Sequence, residues 1–218
     1  MSLRSFLRGI EEELSRKEEV RTSIQGDMRR VLRLSKEAIL LVHQDRFEEA
    51  KGSLDEAAGF FARLRRLSGE HPDLVQGGLV DAAFEEYSEA RTFLSLVQEK
   101  RFINPGELRV PSVPYVLGLG DVVGEFRRRA LDSLRRGDVE AAEECLRRME
   151  EIYLELTAMD EAYLLIPGLR RKCDVARGVI EATRGEVTVE SRRSSLERSI
   201  MRLEEALRGT GKPRKAAG

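Results

Sequence analysis

The sequence predicts an all-α fold, and three observations support this prediction. Leu, Glu, Arg and Ala dominate the 218 residues, Trp is absent, and runs of alternating β-branched residues are scarce. Apolar residues instead recur at intervals of three and four through most of the chain, which is the spacing of one helix face. With 41% hydrophobic and 35% charged residues, the chain has the composition of a globular protein that is long enough for a full core.

The first three predicted helices cover residues 2–44, 46–67 and 72–102. The first repeats apolar residues along its whole length, and we expect Gly26 to bend this helix rather than end it. The second ends before Pro72, because the residue that precedes a proline avoids helical geometry. The third carries a core stripe through Phe84 and Tyr87, and we expect it to loosen at the glycine pair 77–78.

The remaining predicted helices cover residues 115–136, 139–164, 169–183 and 187–207. Gly137 and Asp138 between the fourth and fifth helices are typical of a helix stop followed by an N-cap. Pro167 ends the fifth helix, and Gly185 is predicted to divide the last two. Seven helices and no strands are therefore expected in a single domain of residues 1–207. Residues 208–218 have no apolar anchor and are predicted to be a disordered basic tail.

The charges are balanced, which limits what composition says about partners. The net charge is −1 from 38 basic and 39 acidic residues, so any surface for nucleic acid must come from segregation of charge in the fold. Seven of the basic residues are lysine and the rest are arginine, a bias that permits RNA binding and is equally typical of thermophile proteins. Cys145 and Cys173 are isolated and are expected to be reduced core residues. No signal sequence or membrane span is predicted, so a cytoplasmic location is expected.

Two predicted helices each carry a pair of carboxylates on one face. Glu86 and Glu89 lie on the third helix, and Asp121 and Glu125 lie on the fourth. The fourth helix is apolar on nearly every side around Asp121, which indicates burial. A buried carboxylate costs several kcal/mol unless it pairs with a cation or coordinates a metal, so four such acids predict a site for a hard cation. The alternative is that these acids are solvated or pair with neighbouring arginines.

Several basic residues are candidates for contact with a phosphate backbone. Arg128 lies on the same side of its helix as Asp121 and Glu125, where it would contact a phosphate or pair with an acid. A second candidate group lies along the first helix, and the alternative for this group is a solvated face. Its members are Arg29, Arg30, Arg33 and Lys36. His43 and His71 are expected to be loop or helix-end residues rather than catalytic bases.

Three segments carry a resemblance to a known family. They are Glu85-Glu86-Tyr87-Ser88-Glu89-Ala90, the run from Pro114 to Arg128 with its Gly-Asp-x-x-Gly-Glu element, and the run from Ala176 to Glu186. Together they resemble the translin superfamily, and within it translin-associated factor X (Trax) more closely than translin. The resemblance extends from about Met28 to Leu207.

The resemblance implies a seven-helix fold that assembles into a closed, roughly octameric barrel. Translin itself binds single-stranded nucleic acid, whereas Trax acidic residues give a magnesium-dependent endoribonuclease. Carried over to this sequence, the catalytic acids fall on Glu86, Glu89 and Asp121, with Glu125 as a further metal ligand. An all-oxygen ligand set without nearby His or Cys favours Mg²⁺, with Mn²⁺ as the alternative, over Zn²⁺.

Two functions of different classes follow from these observations. The first is a metal-dependent endoribonuclease that acts on single-stranded RNA, or on RNA with unpaired stretches, as a homo-oligomer that is expected to be an octamer. The second is a non-catalytic barrel that binds single-stranded RNA or DNA and uses the acids for subunit contacts. The sequence leaves open whether a translin-like partner subunit is required. A helical adaptor is disfavoured, because no 34-residue repeat is present.

Overall fold

The computed structural model describes residues 2–75 and 77–210. These residues form seven α-helices and one 3₁₀-helix, and no strand occurs among them. The helices are α1 (Leu3–His43), α2 (Phe47–Glu70), α3 (Gly78–Gln98), α4 (Pro105–Leu108), α5 (Ser112–Arg135), α6 (Val139–Thr157) and α7 (Leu169–Thr210), with the 3₁₀-helix at Asp160–Leu164. The predicted all-α class is therefore confirmed.

The two last predicted helices are in fact one continuous helix, α7, so the predicted division at Gly185 is wrong. Thr183 and Val187 on either side of it are both buried, which places the same helix face in the core before and after this glycine. A Cβ at Gly185 would meet nothing within 4 Å, so no close contact disturbs the helix there. A glycine inside a helix costs only about 1 kcal/mol relative to alanine, and packing on both sides outweighs that cost.

Other boundaries also differ from the predicted ones. α2 ends at Glu70, as the following Pro72 predicted, but α3 begins only at Gly78. α6 ends at Thr157 instead of continuing to residue 164. Between residues 102 and 115, where no helix was predicted, the chain forms the short α4. There the Asn104 side chain accepts a hydrogen bond from the Glu107 backbone N–H, and the Glu107 side chain accepts one from the Asn104 backbone N–H. The observed seven helices are thus a different set from the predicted seven.

Helices α3 and α5 form the centre of the bundle. α3 packs against α1 and α5, and α5 packs in addition against α6 and α7. The Phe93 ring on α3 meets the Phe126 ring on α5 edge to face, with centroids 5.4 Å apart. Gly137, with φ of +77°, and the Asp138 side chain, which accepts a hydrogen bond from the Ala141 backbone, turn the chain between α5 and α6 as predicted.

Two arginines of α5 fix the helices that border it. Arg129 donates hydrogen bonds to the Val42 carbonyl oxygen at 3.3 Å and to Asp45 at 2.8 Å, which holds the end of α1 against α5. Arg127 donates to Thr183 at 2.7 Å and pairs with Glu186 at 3.2 Å on α7. The middle of α5 therefore has α1 on one side and α7 on the other.

The distal ends of the two longest helices expose apolar side chains. At the N-terminal end of α1 these are Leu3, Phe6, Leu7, Ile10 and Leu14, and near the C-terminal end of α7 they are Leu196, Ile200, Met201 and Leu203. Exposed apolar stripes of this length mark surfaces for association. No helix of the described ranges combines the length and the apolar character that a membrane crossing requires. Residues 208–210 of the predicted basic tail belong to α7, and residues 211–218 lie outside the described residues.

Candidate acidic site

The site exists because α3 and α5 approach each other unusually closely at Gly118. A Cβ on Gly118 would lie 2.5 Å from the carbonyl oxygen of Glu85 and 2.9 Å from the backbone nitrogen of Glu89. Only a residue without a side chain fits there. Gly118 therefore permits the close packing of α3 against α5. The close approach brings the acids of α3 next to Asp121, one turn further along α5.

Glu89 is the most deeply placed acid. Its residue is 8% exposed, and within the described ranges its carboxyl group makes no hydrogen bond or salt bridge. Burial, together with the nearby charges of Asp121, Glu86 and Glu125, raises its pKa to about 9. Without a bound cation Glu89 is therefore protonated at neutral pH. A buried carboxyl group without a partner is the kind of group that a cation would satisfy.

Lys172 of α7 pairs with Asp121 and with Glu85, an acid that was not among the predicted site residues. Its Nζ lies 2.5 Å from each carboxylate oxygen of Asp121 and 2.7 Å from Oε1 of Glu85. Burial raises the pKa of Asp121, and Lys172 opposes this shift. Burial alone would lower the pKa of Lys172, but its hydrogen bonds to both acids outweigh burial and raise it. The Lys172 ammonium thus compensates the negative charges of Asp121 and Glu85.

Helix α1 contributes two further basic groups to the site. Nε2 of His43 lies 2.6 Å from Oε2 of Glu125, and the His43 side chain is only 4% exposed. Nζ of Lys36 lies 4.0 Å from Oε2 of Glu86. Burial raises the pKa of Glu86, and Lys36 partly offsets that effect. His43 ends α1, as expected of a helix-end residue, but the expectation that no histidine lies near the acids was wrong.

An open groove lies between the end of α1 and α5, beside His43, the partner of Glu125. Gly124 and Arg128 are among its lining residues. Gly124 has nothing within 4 Å of its Cβ position, so the groove remains open there. Arg128 is exposed and forms no ion pair within the part of the chain that the structure describes. It is placed to contact a phosphate that lies in the groove.

The basic residues predicted on α1 do not all share one surface. Lys36 reaches the acidic site, and Arg29 and Arg33 precede it at helical spacing on the same face. Arg30 turns instead towards α2, where it lies 4.0 Å from Glu56 and 5.2 Å from the centre of the Phe60 ring. Arg30 is therefore separate from the other three.

The chemistry of the acids suits a metal ion, although their present arrangement is not that of a coordinated ion. Glu86, Glu89, Asp121 and Glu125 offer only oxygen ligands, as Mg²⁺ and Mn²⁺ prefer. In the described ranges no three acid, histidine or cysteine side chains form a ready metal-binding group. Asp121 is turned to Lys172 and Glu125 to His43. Glu89 alone has no partner, so a cation would give Glu89 a partner and would compete with Lys172 for the two oxygens of Asp121.

No local pattern in the sequence identified Lys172, Glu85 or His43 as members of the site. Lys172 lies 51 positions and His43 lies 82 positions from their partners in the chain, and no local spacing indicates such a contact. Glu85 belongs to a segment that carries the family resemblance, but no role in the site was predicted for it. The glycine at residue 120 was an available signal, because a glycine inside a helix leaves room for a neighbouring side chain. In the structure, Cδ of Lys172 lies 3.2 Å from the Cβ position of Gly120 and uses that room.

These features define an all-helical domain in which two central helices enclose a group of partly buried carboxylates. The translin family model matches residues 17–183, and the chain therefore belongs to the translin family. The predicted resemblance is thus confirmed.

Known relatives support the same assignment. An uncharacterized protein of Methanocaldococcus jannaschii is 28% identical over 193 residues, which cover 88% of this chain and 85% of that protein. Translin-associated protein X of Pongo abelii is 29% identical over 98 residues, 45% of this chain and 33% of that protein. The solved complex of AfC3PO with duplex RNA contains a chain with a TM-score of 0.76 and 30% identity, which aligns with 86% of this chain and 97% of its own length.

Proposed function

We propose that this protein is a metal-dependent endoribonuclease that acts on single-stranded RNA or on RNA with unpaired stretches. The observation that carries the proposal is Glu89, a residue only 8% exposed whose carboxyl group has no hydrogen bond or ion pair in the described ranges and feels the charges of Glu86, Asp121 and Glu125. A structural salt-bridge network has no need of an acid that lacks a partner, because burial of such a group destabilises the fold. A divalent cation would give Glu89 the partner that it lacks.

Each group has a defined task in this proposal. Glu86, Glu89, Asp121 and Glu125 hold the ion, and bound Mg²⁺, or Mn²⁺ in its place, supplies a positioned water and stabilises charge on the phosphate. Arg128 contacts the phosphate group in the groove. A further basic group, Arg29, Arg33 and Lys36, contacts neighbouring phosphates along α1, while Arg30 is removed from this role by its position near Phe60.

The comparisons support nucleic acid as the partner. A structural relative was solved as a complex with duplex RNA, and this chain aligns with nearly its whole length. Its substrate preference among single-stranded, partly unpaired and duplex RNA is therefore part of the test. The net charge of −1 does not oppose RNA binding, since the exposed Arg29, Arg33 and Arg128 lie on the side of the acidic site.

A closed homo-oligomer, expected to be an octamer, is the proposed assembly. The apolar stripes at the ends of α1 and α7 project from the bundle without cover, and burial between subunits would remove them from water. A homo-oligomer places every acidic site in an equivalent position. A translin-like second subunit is the alternative partner for the same stripes.

One observation favours a second function, that of a nucleic-acid-binding barrel without catalysis. Three of the acids already have basic partners. Asp121 pairs with Lys172, and Glu125 pairs with His43. Glu86 lies 4.0 Å from Lys36. In that case the acids serve to hold α1, α3, α5 and α7 together.

A cleavage assay distinguishes the two functions. End-labelled single-stranded RNA and a blunt duplex of the same sequence are incubated with the protein in Mg²⁺, in Mn²⁺ and in EDTA. The variants are Glu86→Gln, Glu89→Gln and Asp121→Asn, which keep side-chain size and remove charge. Glu37→Gln is the matched control, because Glu37 is exposed on α1 and has no ion pair in the described ranges.

We expect metal-dependent cleavage by the wild type and by Glu37→Gln, and its loss in the three site variants. RNA binding that persists without cleavage in either metal would establish the binding function instead. Cleavage that survives Glu89→Gln unchanged would remove the proposed site from the reaction.

A further inference from the structure

We propose that Lys172 is an internal counter-cation that holds Asp121 until a divalent metal ion displaces it, so that Lys172 limits metal affinity. This inference rests on the proposed function, because it assigns a competitor for the same metal site. Lys172 lies on α7, is not one of the four acids, and does not line the groove between α1 and α5.

The contacts of Lys172 are those of a cation in a ligand position. Its Nζ lies at 2.5 Å from both oxygens of Asp121 and at 2.7 Å from Glu85, with 22% of its side chain exposed. A metal ion bound by Asp121 would use the same oxygen lone pairs. The ion and the ammonium would also repel each other strongly at such short separation in a partly buried site. The ammonium in its present position, on both oxygens, therefore competes with a metal ion for Asp121.

The stem of Lys172 has a fixed path, while its head group has space to move. Cβ and Cδ of Lys172 lie 3.3 and 3.2 Å from the Cβ position of Gly120, so the stem lies directly on the α5 backbone. Beside it, a cavity of about 380 Å³ opens between α5 and α7, with Lys172, Arg171 and Val175 among its lining residues. The ammonium can therefore leave Asp121 by rotation about the side-chain bonds beyond Cδ, without movement of either helix.

A purely structural role is the competing explanation, since the same ion pair joins α5 to α7. That connection is already made by Arg127, which donates to Thr183 and pairs with Glu186. The two helices also share buried apolar contacts, including Val123 on α5 and Ala176 on α7. Neutralisation of Lys172 should therefore leave the helix pair in place while it frees two carboxylates.

Binding of Mn²⁺ to the full chain in the absence of RNA tests the inference without reference to activity. Titration calorimetry, or the loss of the free Mn²⁺ signal in electron paramagnetic resonance, gives the dissociation constant. The variants are Lys172→Met, which keeps the stem, and Lys172→Gln, which keeps a hydrogen-bond donor without the charge. Arg171→Met is the matched control, because it removes a neighbouring charge on α7 that has no carboxylate partner among the described residues. Thermal melting reports whether each variant is folded.

We expect the dissociation constant for Mn²⁺ to fall about tenfold in Lys172→Met and Lys172→Gln, since one competing charge is removed, and to change less than about twofold in Arg171→Met. Unchanged or weaker Mn²⁺ binding in both folded Lys172 variants overturns the inference alone. An equal gain in Arg171→Met would also overturn it, because the effect would then be one of general charge. Absence of Mn²⁺ binding in the wild type and in every variant overturns the proposed metal site as well.

Discussion

Nε2 of His43, the last residue of α1, lies 2.6 Å from Oε2 of Glu125 in the middle of α5. The imidazole is only 4% exposed and packs on the Phe93 ring at a centroid distance of 5.0 Å, so its orientation is fixed by the core. A buried imidazole in contact with a carboxylate holds that carboxylate in one rotamer. Glu125 is thus positioned by a residue from another helix, and the position of α1 is itself fixed by Arg129.

Replacement of His43 by alanine should lower the rate of RNA cleavage about tenfold, the lower end of the effect seen when a partner of a metal ligand is removed. Glu125 would lose the one hydrogen-bond partner that it has among the described residues, and it would sample several rotamers. The measurement is cleavage at increasing Mn²⁺, where the concentration for half-maximal rate should rise together with the fall in rate. His71→Ala, in the turn after α2, is the control and should leave both quantities unchanged. A normal Mn²⁺ dependence in His43→Ala would contradict the assigned role.

Replacement of Glu89 by glutamine should raise the free energy of unfolding at neutral pH. The folded protein holds the Glu89 proton up to about pH 9, whereas the unfolded chain releases it near the ordinary pKa of a glutamate, 4.5. The folded state therefore binds more protons between these values, and its stability falls as the pH rises from 4.5 to 9. Glutamine avoids this cost, which amounts to about 3 kcal/mol at pH 7.

Urea denaturation at pH 5, 7 and 9 measures this effect. The gain in stability from Glu89→Gln should be smallest at pH 5 and should increase towards pH 9. The exposed Glu37→Gln serves as the control and should show no such trend. Equal stability of wild type and Glu89→Gln at all three pH values would mean that Glu89 ionises without penalty.

Metal binding should release protons, because Glu89 must ionise to become a ligand. At pH 7.5 its proton is still bound in the metal-free protein, since its pKa is about 9. Calorimetric titration with Mn²⁺ in buffers of different ionisation enthalpy should give about one proton released for each ion bound. In Glu89→Gln the release should disappear. Asp121→Asn, in contrast, should bind Mn²⁺ weakly while any remaining binding still releases the proton.

Substitution of Gly118 by alanine should destabilise the protein by about 3 kcal/mol, because the new Cβ would overlap the α3 backbone. The substitution would also move Glu85 and Glu89 away from Asp121. Gly178→Ala on α7 is the matched control, since its Cβ would meet nothing within 4 Å. That control should gain about 0.5–1 kcal/mol from better helix propensity. Chemical denaturation of both variants compares the two effects directly.

Charges on the exposed stripe of α7 should dissociate the oligomer without unfolding the bundle. Leu196 and Ile200 are 62% and 47% exposed and lie one turn apart. The double replacement by aspartate should yield a smaller species in size-exclusion chromatography with light scattering, while the circular dichroism of the helices persists. Ser195→Asp, which adds a charge to an adjacent exposed position, should retain the full assembly. A monomeric wild type at micromolar concentration would rule out the proposed barrel.

The sequence was sufficient for the fold class and for most members of the acidic site, but not for the partners of the acids. Apolar periodicity and helix caps are local signals, so α1, α2 and the turn at Gly137 were predictable. The continuity of α7 past Gly185 depends on tertiary packing and was missed for that reason. The contact of Lys172 with Asp121 joins residues 51 positions apart and requires the relative rotation of two helices, which periodicity does not determine.

The continuity of α7 past Gly185 also sets a distance within the molecule. Its 42 residues form a helix about 63 Å long at 1.5 Å per residue. Lys172 lies near the N-terminal end of this helix, and the exposed Leu196 lies towards its C-terminal end. The ion pair with Asp121 and the exposed apolar stripe therefore belong to one continuous helix, on which Lys172 and Leu196 lie about 36 Å apart.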